Sequence, residues 1–151
     1  MSDVLSLLEH QFRTHRIQVR KHLEHPSVLV HGVEYKLQQV FLNLFLNARD
    51  AMPKGGWLSI TTAVSGAEAL VEVADTGAGI PTEHLSRIYD PFFTTKGEGR
   101  GTGLGLSVSY GIVKEHSGTL TCESDVNQGT CFRLVLPVAD RAARDEAGAA
   151  R

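Results

Sequence analysis

Hydrophobic positions along this chain change period several times, and each change marks an element. Val4, Leu5, Leu7, Leu8 and Phe12 recur at helical spacing, so the chain opens with a helix. Residues 17–23 alternate as a strand, Pro26 breaks the run, and 28–30 reads as a short second strand. Over 33–52, Leu37, Val40, Phe41, Leu44, Phe45, Ala48 and Ala51 form one apolar stripe, which predicts a long helix stopped by Pro53, Gly55 and Gly56. Two strands, 58–64 and 69–74, are joined by a turn around Gly66. An irregular segment then runs from Asp75 to about Gly101. The pattern predicts a helix over 102–116, ended by Gly118, and a closing hairpin of 119–123 with 130–136. This order of elements suits an α/β (α+β) two-layer sandwich, with helices on one face of a mixed, largely antiparallel sheet. The expected domain is 1–137. The alanine-rich, charged residues 138–151 read as a frayed or disordered tail.

Composition narrows the classes. At 151 residues the chain is long enough to bury one core. A formal charge of -2 gives no bulk electrostatic case for nucleic acid or an anionic membrane. No apolar run approaches a bilayer-spanning length, and the amphipathic, early-acidic N-terminus is unlike a signal peptide. The two cysteines, Cys122 and Cys131, form no CxxC pair. They suit a cytoplasmic protein and are expected as two reduced core thiols, although a pairing across the last hairpin is the alternative.

Three clusters carry candidate chemistry. In GEGRGTGLGLSVSYGIV, residues 97–113, glycines alternate and lead into a helix. The dinucleotide fingerprint GxGxxG fails, because its last glycine falls on Leu104 or Leu106. The P-loop fails as well, because Lys96 precedes Gly97 and no Ser or Thr follows the pair. Successive backbone N–H groups and a helix N-terminus still make an anion site; a flexible linker is the bland alternative. In VEVADTGAGIP, Asp75 ends a strand and is followed by Gly77 and Gly79. A carboxylate there can accept from an exocyclic amine, or it can simply close an Asx turn. On the long helix, Asn43 and Asn47 share a face that Asp50 continues. Carboxamide oxygens are hard ligands suited to magnesium, which takes few protein ligands beside substrate phosphates; a buried polar pair is the alternative. The long segment between the glycine clusters, with Tyr89, Phe92 and Phe93 as an apolar anchor, has the make-up of a lid.

Together these segments resemble one family. QQVFLNLFLNARDAM looks like an asparagine box, DTGAGIP a first glycine box, YDPFFTTK a phenylalanine-centred box and GRGTGLGLSVSYGIVKEHSG a second glycine box; QGTCFRLVLP looks like a closing glycine–threonine strand. The chain resembles the catalytic, ATP-binding domain of sensor histidine kinases. These share the Bergerat-type fold of type II topoisomerases, heat-shock chaperones and mismatch-repair ATPases. The wording of PFFTTK and SVSYGIVKEH is similar to the nitrogen-regulation branch.

The resemblance implies roles. Asn47 would coordinate Mg2+, with Asn43 supporting it or reaching a phosphate and Asp50 nearby. Asp75 would accept from the adenine amino group, Gly77 and Gly79 would shape the adenine floor, Ile80 would line the base pocket, and Thr130 would reach adenine through water. Gly101, Thr102, Gly103, Leu104, Gly105 and Leu106 would wrap the phosphates under a long ATP lid, and Lys96 would meet the terminal phosphate. It also implies a histidine protein kinase that donates the γ-phosphate of ATP to a histidine on a separate helical dimerisation domain, and that works with a response regulator. None of the seven histidines sits in the family's acceptor pattern, so they read as surface or capping residues. By itself this cytoplasmic fragment is expected to be a monomer that binds ATP and ADP, touches neither membrane nor nucleic acid, and autophosphorylates little. The alternatives are a hydrolase of the same fold and a nucleotide-sensing docking module. Such a hydrolase carries Glu one helical turn before the magnesium asparagine. Position 43 is Asn, which is no general base.

Overall fold

A computed structural model of the chain describes residues 1–23, 30, 32–93 and 104–138. The elements are α1 (Ser2–Thr14), β1 (Ile17–Leu23), α2 (Glu34–Ala51), β2 (Gly56–Ser65), β3 (Glu68–Asp75), α3 (Thr82–Leu85), α4 (Gly105–Glu115), β4 (Thr119–Asp125) and β5 (Gly129–Pro137). The strands form one sheet in the order β1-β2-β3-β5-β4. β1 and β2 run parallel because α2 crosses between them; every other pair is antiparallel. The architecture is the expected mixed, largely antiparallel sheet with helices on one face.

The core sits between sheet and helices. The stripe of α2 buries Val40, Phe41, Leu44, Phe45 and Ala48 against Leu58, Ile60, Val73, Phe132 and Leu134 of the sheet. Val4, Leu5, Leu8 and Phe12 of α1 and Ile112 and Val113 of α4 complete it. The other sheet face is polar. There the Arg20 guanidinium lies 3.5 Å from the Trp57 ring centroid, and Arg133 pairs with Glu72 at 2.8 Å. Strand alternation also puts Leu58, Asp75, Thr130 and Ser124 in one row across the core side of β2, β3, β5 and β4.

The structure refines several expectations. The irregular segment contains the single turn α3, followed by a buried Ile88 and by Tyr89, which stacks on Tyr110 of α4 at 4.9 Å. Phe93 packs against the core, but Phe92 does not join the anchor. Its φ of 68° turns the chain, and its ring is 72% exposed. Of the expected strand 28–30, Val30 makes one bridge to Val138, and the rest lies outside the described residues. Cys122 and Cys131 are free thiols that do not face each other. Cys122 is opposite Phe132 on the core side, whereas Cys131 is opposite Glu123 on the other side. His116 is a capping residue. Its Nδ1 donates to Ile112 O at 2.7 Å and its Nε2 accepts from Val33 N at 3.1 Å, which joins the end of α4 to the start of α2. Those two partners require the neutral tautomer protonated on Nδ1.

Candidate functional site

Two polar clusters gather along α2. The first joins α2 to the start of α4. Asn43 is half-buried, and its Nδ2 donates to Gly105 O and to Ser109 Oγ, each at 3.0 Å. Ser109 is fully buried. A carboxamide nitrogen has two protons, so both are spent on α4, and Asn43 has an oxygen left to offer. Asn47, one turn on, is also half-buried on the same helix face. Asp50 is exposed, and its Oδ1 accepts from Arg49 Nε at 3.1 Å and Nη2 at 2.9 Å. Leu104 precedes α4, and its carbonyl accepts from Val108 N at 2.9 Å and from the Ser107 hydroxyl at 3.0 Å. Leu106 packs against the core.

The second cluster lies where β3 meets the following loop. Asp75 is half-buried, and its Oδ1 accepts from Gly77 N at 2.9 Å. Thr130 lies directly across the β3–β5 pair, and its backbone N–H favours the charged form of this carboxylate. Burial pushes the Asp75 carboxyl above its ordinary range, and the backbone N–H groups of Gly77 and Thr130 pull part of the way back. A half-buried carboxylate at the mouth of a loop, held by the Gly77 N–H, is oriented rather than free to wander. Thr130 is itself buried, and Ile80 packs against the core with its N–H donating to Ser124 Oγ at 2.7 Å.

The glycines of this loop are demanded by the protein's own backbone. Ala78 N donates to Ala51 O at 2.9 Å, and a Cβ on Gly77 would run into that same carbonyl. Gly79 has a φ of 75°, and a Cβ there would run into the Asp125 carbonyl. The loop is thus threaded between the end of α2 and the β4–β5 turn, whose Asn127 N donates to Ala78 O at 2.7 Å.

Of the residues singled out from sequence, Asn43, Asn47 and Asp50 share α2, Asn43 and Gly105 are in contact, Gly77 bonds Asp75, and Thr130 is the register partner of Asp75. Lys96, Gly101, Thr102 and Gly103 lie outside the described residues. Two residues escaped the sequence reading. Ser109 looks like any small residue of an apolar helix, and Ser124 looks like any polar strand residue; only register and helix packing reveal their partners. Two open grooves of about 490 Å³ each lie elsewhere, one between α1 and β1 and one around Arg16 and Lys54, and neither includes Asp75 or Asn47.

Among the described residues, no three His, Cys, Asp or Glu side chains stand together as a metal cluster. A divalent cation here would therefore depend on a carboxamide such as Asn47 and on oxygens of a bound ligand. That donor set suits magnesium with a polyphosphate and does not suit a metal caged by protein alone.

Residues 32–140 match the family model described as histidine kinase-, DNA gyrase B- and HSP90-like ATPase. Sporulation kinase C of Bacillus subtilis is 40% identical over 139 residues, which cover 91% of this chain and 32% of that protein. The solved catalytic domain of the histidine kinase ThkA is 32% identical with a TM-score of 0.81, over 90% of this chain and 88% of that one. A structure of ThkA in complex with the response regulator protein TrrA is 29% identical with a TM-score of 0.78, over 91% of this chain and 39% of that one. The chain spans 12–32% of the length of the curated relatives it matches.

Proposed function

The chain belongs to the histidine kinase-, DNA gyrase B- and HSP90-like ATPase family and is homologous to the catalytic domains of sensor histidine kinases. From that premise we propose that it binds Mg-ATP and presents the γ-phosphate to a histidine carried by a separate helical domain of a two-component kinase. The observation that carries this reading is the oriented Asp75 carboxylate, held by the Gly77 N–H and facing Thr130 in register on the core side of the sheet. Such an acceptor suits the amino group of a base. The Asn43–Gly105 bond ties the asparagine helix to the helix that follows the glycine run.

In this reading Asp75 and Thr130 hold the adenine end, with Gly77, Gly79 and Ile80 forming the floor and wall. Asn47 holds the cation with the phosphates, supported by Asn43 and, farther along the helix, by Asp50. Lys96 and the segment 101–106 close over the phosphates. Magnesium bound with the nucleotide would neutralise phosphate charge. The chain's own task is positioning, since phosphoryl transfer asks little covalent chemistry of the protein. A hydrolase of the same fold fits less well. Asn43 points its N–H groups at α4 and has no basic group with which to activate water. The partners in this proposal are ATP or ADP, the histidine-bearing dimerisation domain and a response regulator, a reading supported by the ThkA–TrrA complex. The expected setting is the cytoplasm, with this chain alone a monomer. No helix among the described residues is long and apolar enough to cross a membrane.

The test is a calorimetric titration of the chain with a non-hydrolysable ATP analogue, with and without magnesium. Binding that magnesium strengthens is the expected result. Absence of binding at millimolar ligand would remove the proposal.

A further inference from the structure

Ser124 belongs to no motif, yet its hydroxyl is the most connected polar atom of the second cluster. It sits on the core side of β4, in register with Thr130, which is itself in register with Asp75. Three groups surround its Oγ: Ile80 N at 2.7 Å, Thr130 Oγ1 at 2.8 Å and Gly129 O at 2.9 Å.

A hydroxyl has one proton and two lone pairs, so these contacts can be assigned. The Ile80 N–H can only donate and takes one lone pair. The Gly129 carbonyl can only accept, so it takes the Ser124 proton; without a proton between them two oxygens at that distance repel. The remaining contact must be Thr130 Oγ1–H donating to the second lone pair of Ser124. Every capacity of Ser124 is then used, and the Thr130 proton is committed. What Thr130 Oγ1 has left to offer is lone pairs. Opposite Thr130 in the β3–β5 register, on the same sheet face, stands Asp75, whose carboxylate is also an acceptor.

We propose that Ser124 is a positioning residue for base selection: by holding the Thr130 hydroxyl as an acceptor beside Asp75, it favours a purine bearing an exocyclic amine over a 6-oxo purine. A 6-oxo group would bring a third acceptor to a place that already holds two, and a buried acceptor without a donor is costly. The sequence offered no signal for this, because the hydroxyl's direction follows from β4–β5 register and from the loop that delivers Ile80.

This inference rests on the nucleotide reading, and the experiment separates the two. Calorimetry would compare ATP with inosine triphosphate, both with magnesium, for the unaltered chain, Ser124→Ala, Thr130→Val and the double variant. Ser124→Ala frees the Thr130 proton to donate to the 6-oxo group, so the preference for ATP should fall about five-fold or more. Thr130→Val removes the hydroxyl at similar volume and should also lower the preference, and adding Ser124→Ala to it should change the ratio no further. Equal weakening of both nucleotides by Ser124→Ala, with the ratio kept, would make Ser124 a packing residue and overturn the assignment alone. A further change of ratio in the double variant would overturn it too, since Ser124 would not be acting through Thr130. An unaltered chain that binds neither nucleotide would remove this inference together with the reading beneath it.

Discussion

The Asn43 side chain of α2 hydrogen-bonds the Ser109 hydroxyl of α4 at 3.0 Å, and with the same nitrogen it reaches Gly105 O at the first residue of that helix. Ser109 is fully buried. The pair therefore fixes where α4 starts relative to the asparagine face of α2. Asn43→Ala would leave a buried hydroxyl without this donor and should destabilise by about 1–3 kcal/mol in urea unfolding. Asn43→Asp keeps the shape but points carboxylate oxygens at a carbonyl, so it should be more destabilising than the alanine variant. If the aspartate variant is the more stable of the two, the bond does not hold the helices together.

Asp75 should trade stability for binding. Its carboxyl is raised mainly by burial, so the folded state binds its proton more readily than the unfolded chain does. The contribution of this group to stability is therefore greatest below the unfolded carboxylate range. It falls as pH rises from that range through the raised value, and stays low at neutral pH. Asp75→Asn removes the buried charge, so at pH 7 its melting temperature should equal or exceed that of the unaltered chain. Its affinity for ATP should drop ten-fold or more, because a hydrogen bond to a charged acceptor contributes about 1.5–3 kcal/mol. ATP affinity of the unaltered chain should also decline on acidification earlier than an ordinary carboxylate would dictate. A variant that melts lower and binds normally would contradict both halves.

Tyr89 docks the segment after β3 onto the body of the protein. Its ring stacks on Tyr110 at 4.9 Å, and its hydroxyl donates to Leu120 O at 3.3 Å. Burial, the largest cause, raises the phenol further above its ordinary value, so it stays protonated throughout the working pH range. Tyr89→Phe should cost about 0.5 kcal/mol, since the lost bond is long, and Tyr89→Ala about 2–3 kcal/mol through lost stacking and burial. Chemical denaturation of the two variants would measure the difference. Equal losses would assign the docking to the hydroxyl and not to the ring.

The two thiols should stay reduced and unpaired with each other. Burial, helped by neighbouring Cys131, pushes the Cys122 thiol up to about 12, and Cys131 is also raised, mainly by its own burial. Both remain thiols at pH 8, where the reactive thiolate is scarce. Alkylation of the folded chain should be slow at both. Oxidation should yield no intrachain disulfide, because the side chains leave opposite faces of the β4–β5 pair. Mass spectrometry after mild oxidation would show an intact pair of free thiols; a loss of two mass units within one chain would refute the register.

The sequence by itself determined the order and kind of the main elements, though not the single turn α3. The apolar period of Val40, Phe41, Leu44, Phe45 and Ala48 is the buried stripe of α2, and the alternation around Leu58 and Ile60 is the core face of β2. Periodicity is legible because it reflects one face at a time meeting one core. It also determined that Asp75 closes a strand and that Asn43 and Asn47 share a helix face. Only the tertiary structure decided what those groups meet. That Asn43 spends its donors on Ser109, 66 positions away, follows from helix packing, which one strand of letters does not encode locally. That Gly77 and Gly79 are required by Ala51 and Asp125 follows from backbone crossings of separate segments. Ser124 and Thr130 meet because β4 and β5 pair in one register, and a slip of β4 by one residue would turn the Ser124 hydroxyl to the opposite sheet face, away from Thr130. Hydrogen-bond direction and burial depend on neighbours brought in from afar, which is why the motifs were readable and their arrangement was not.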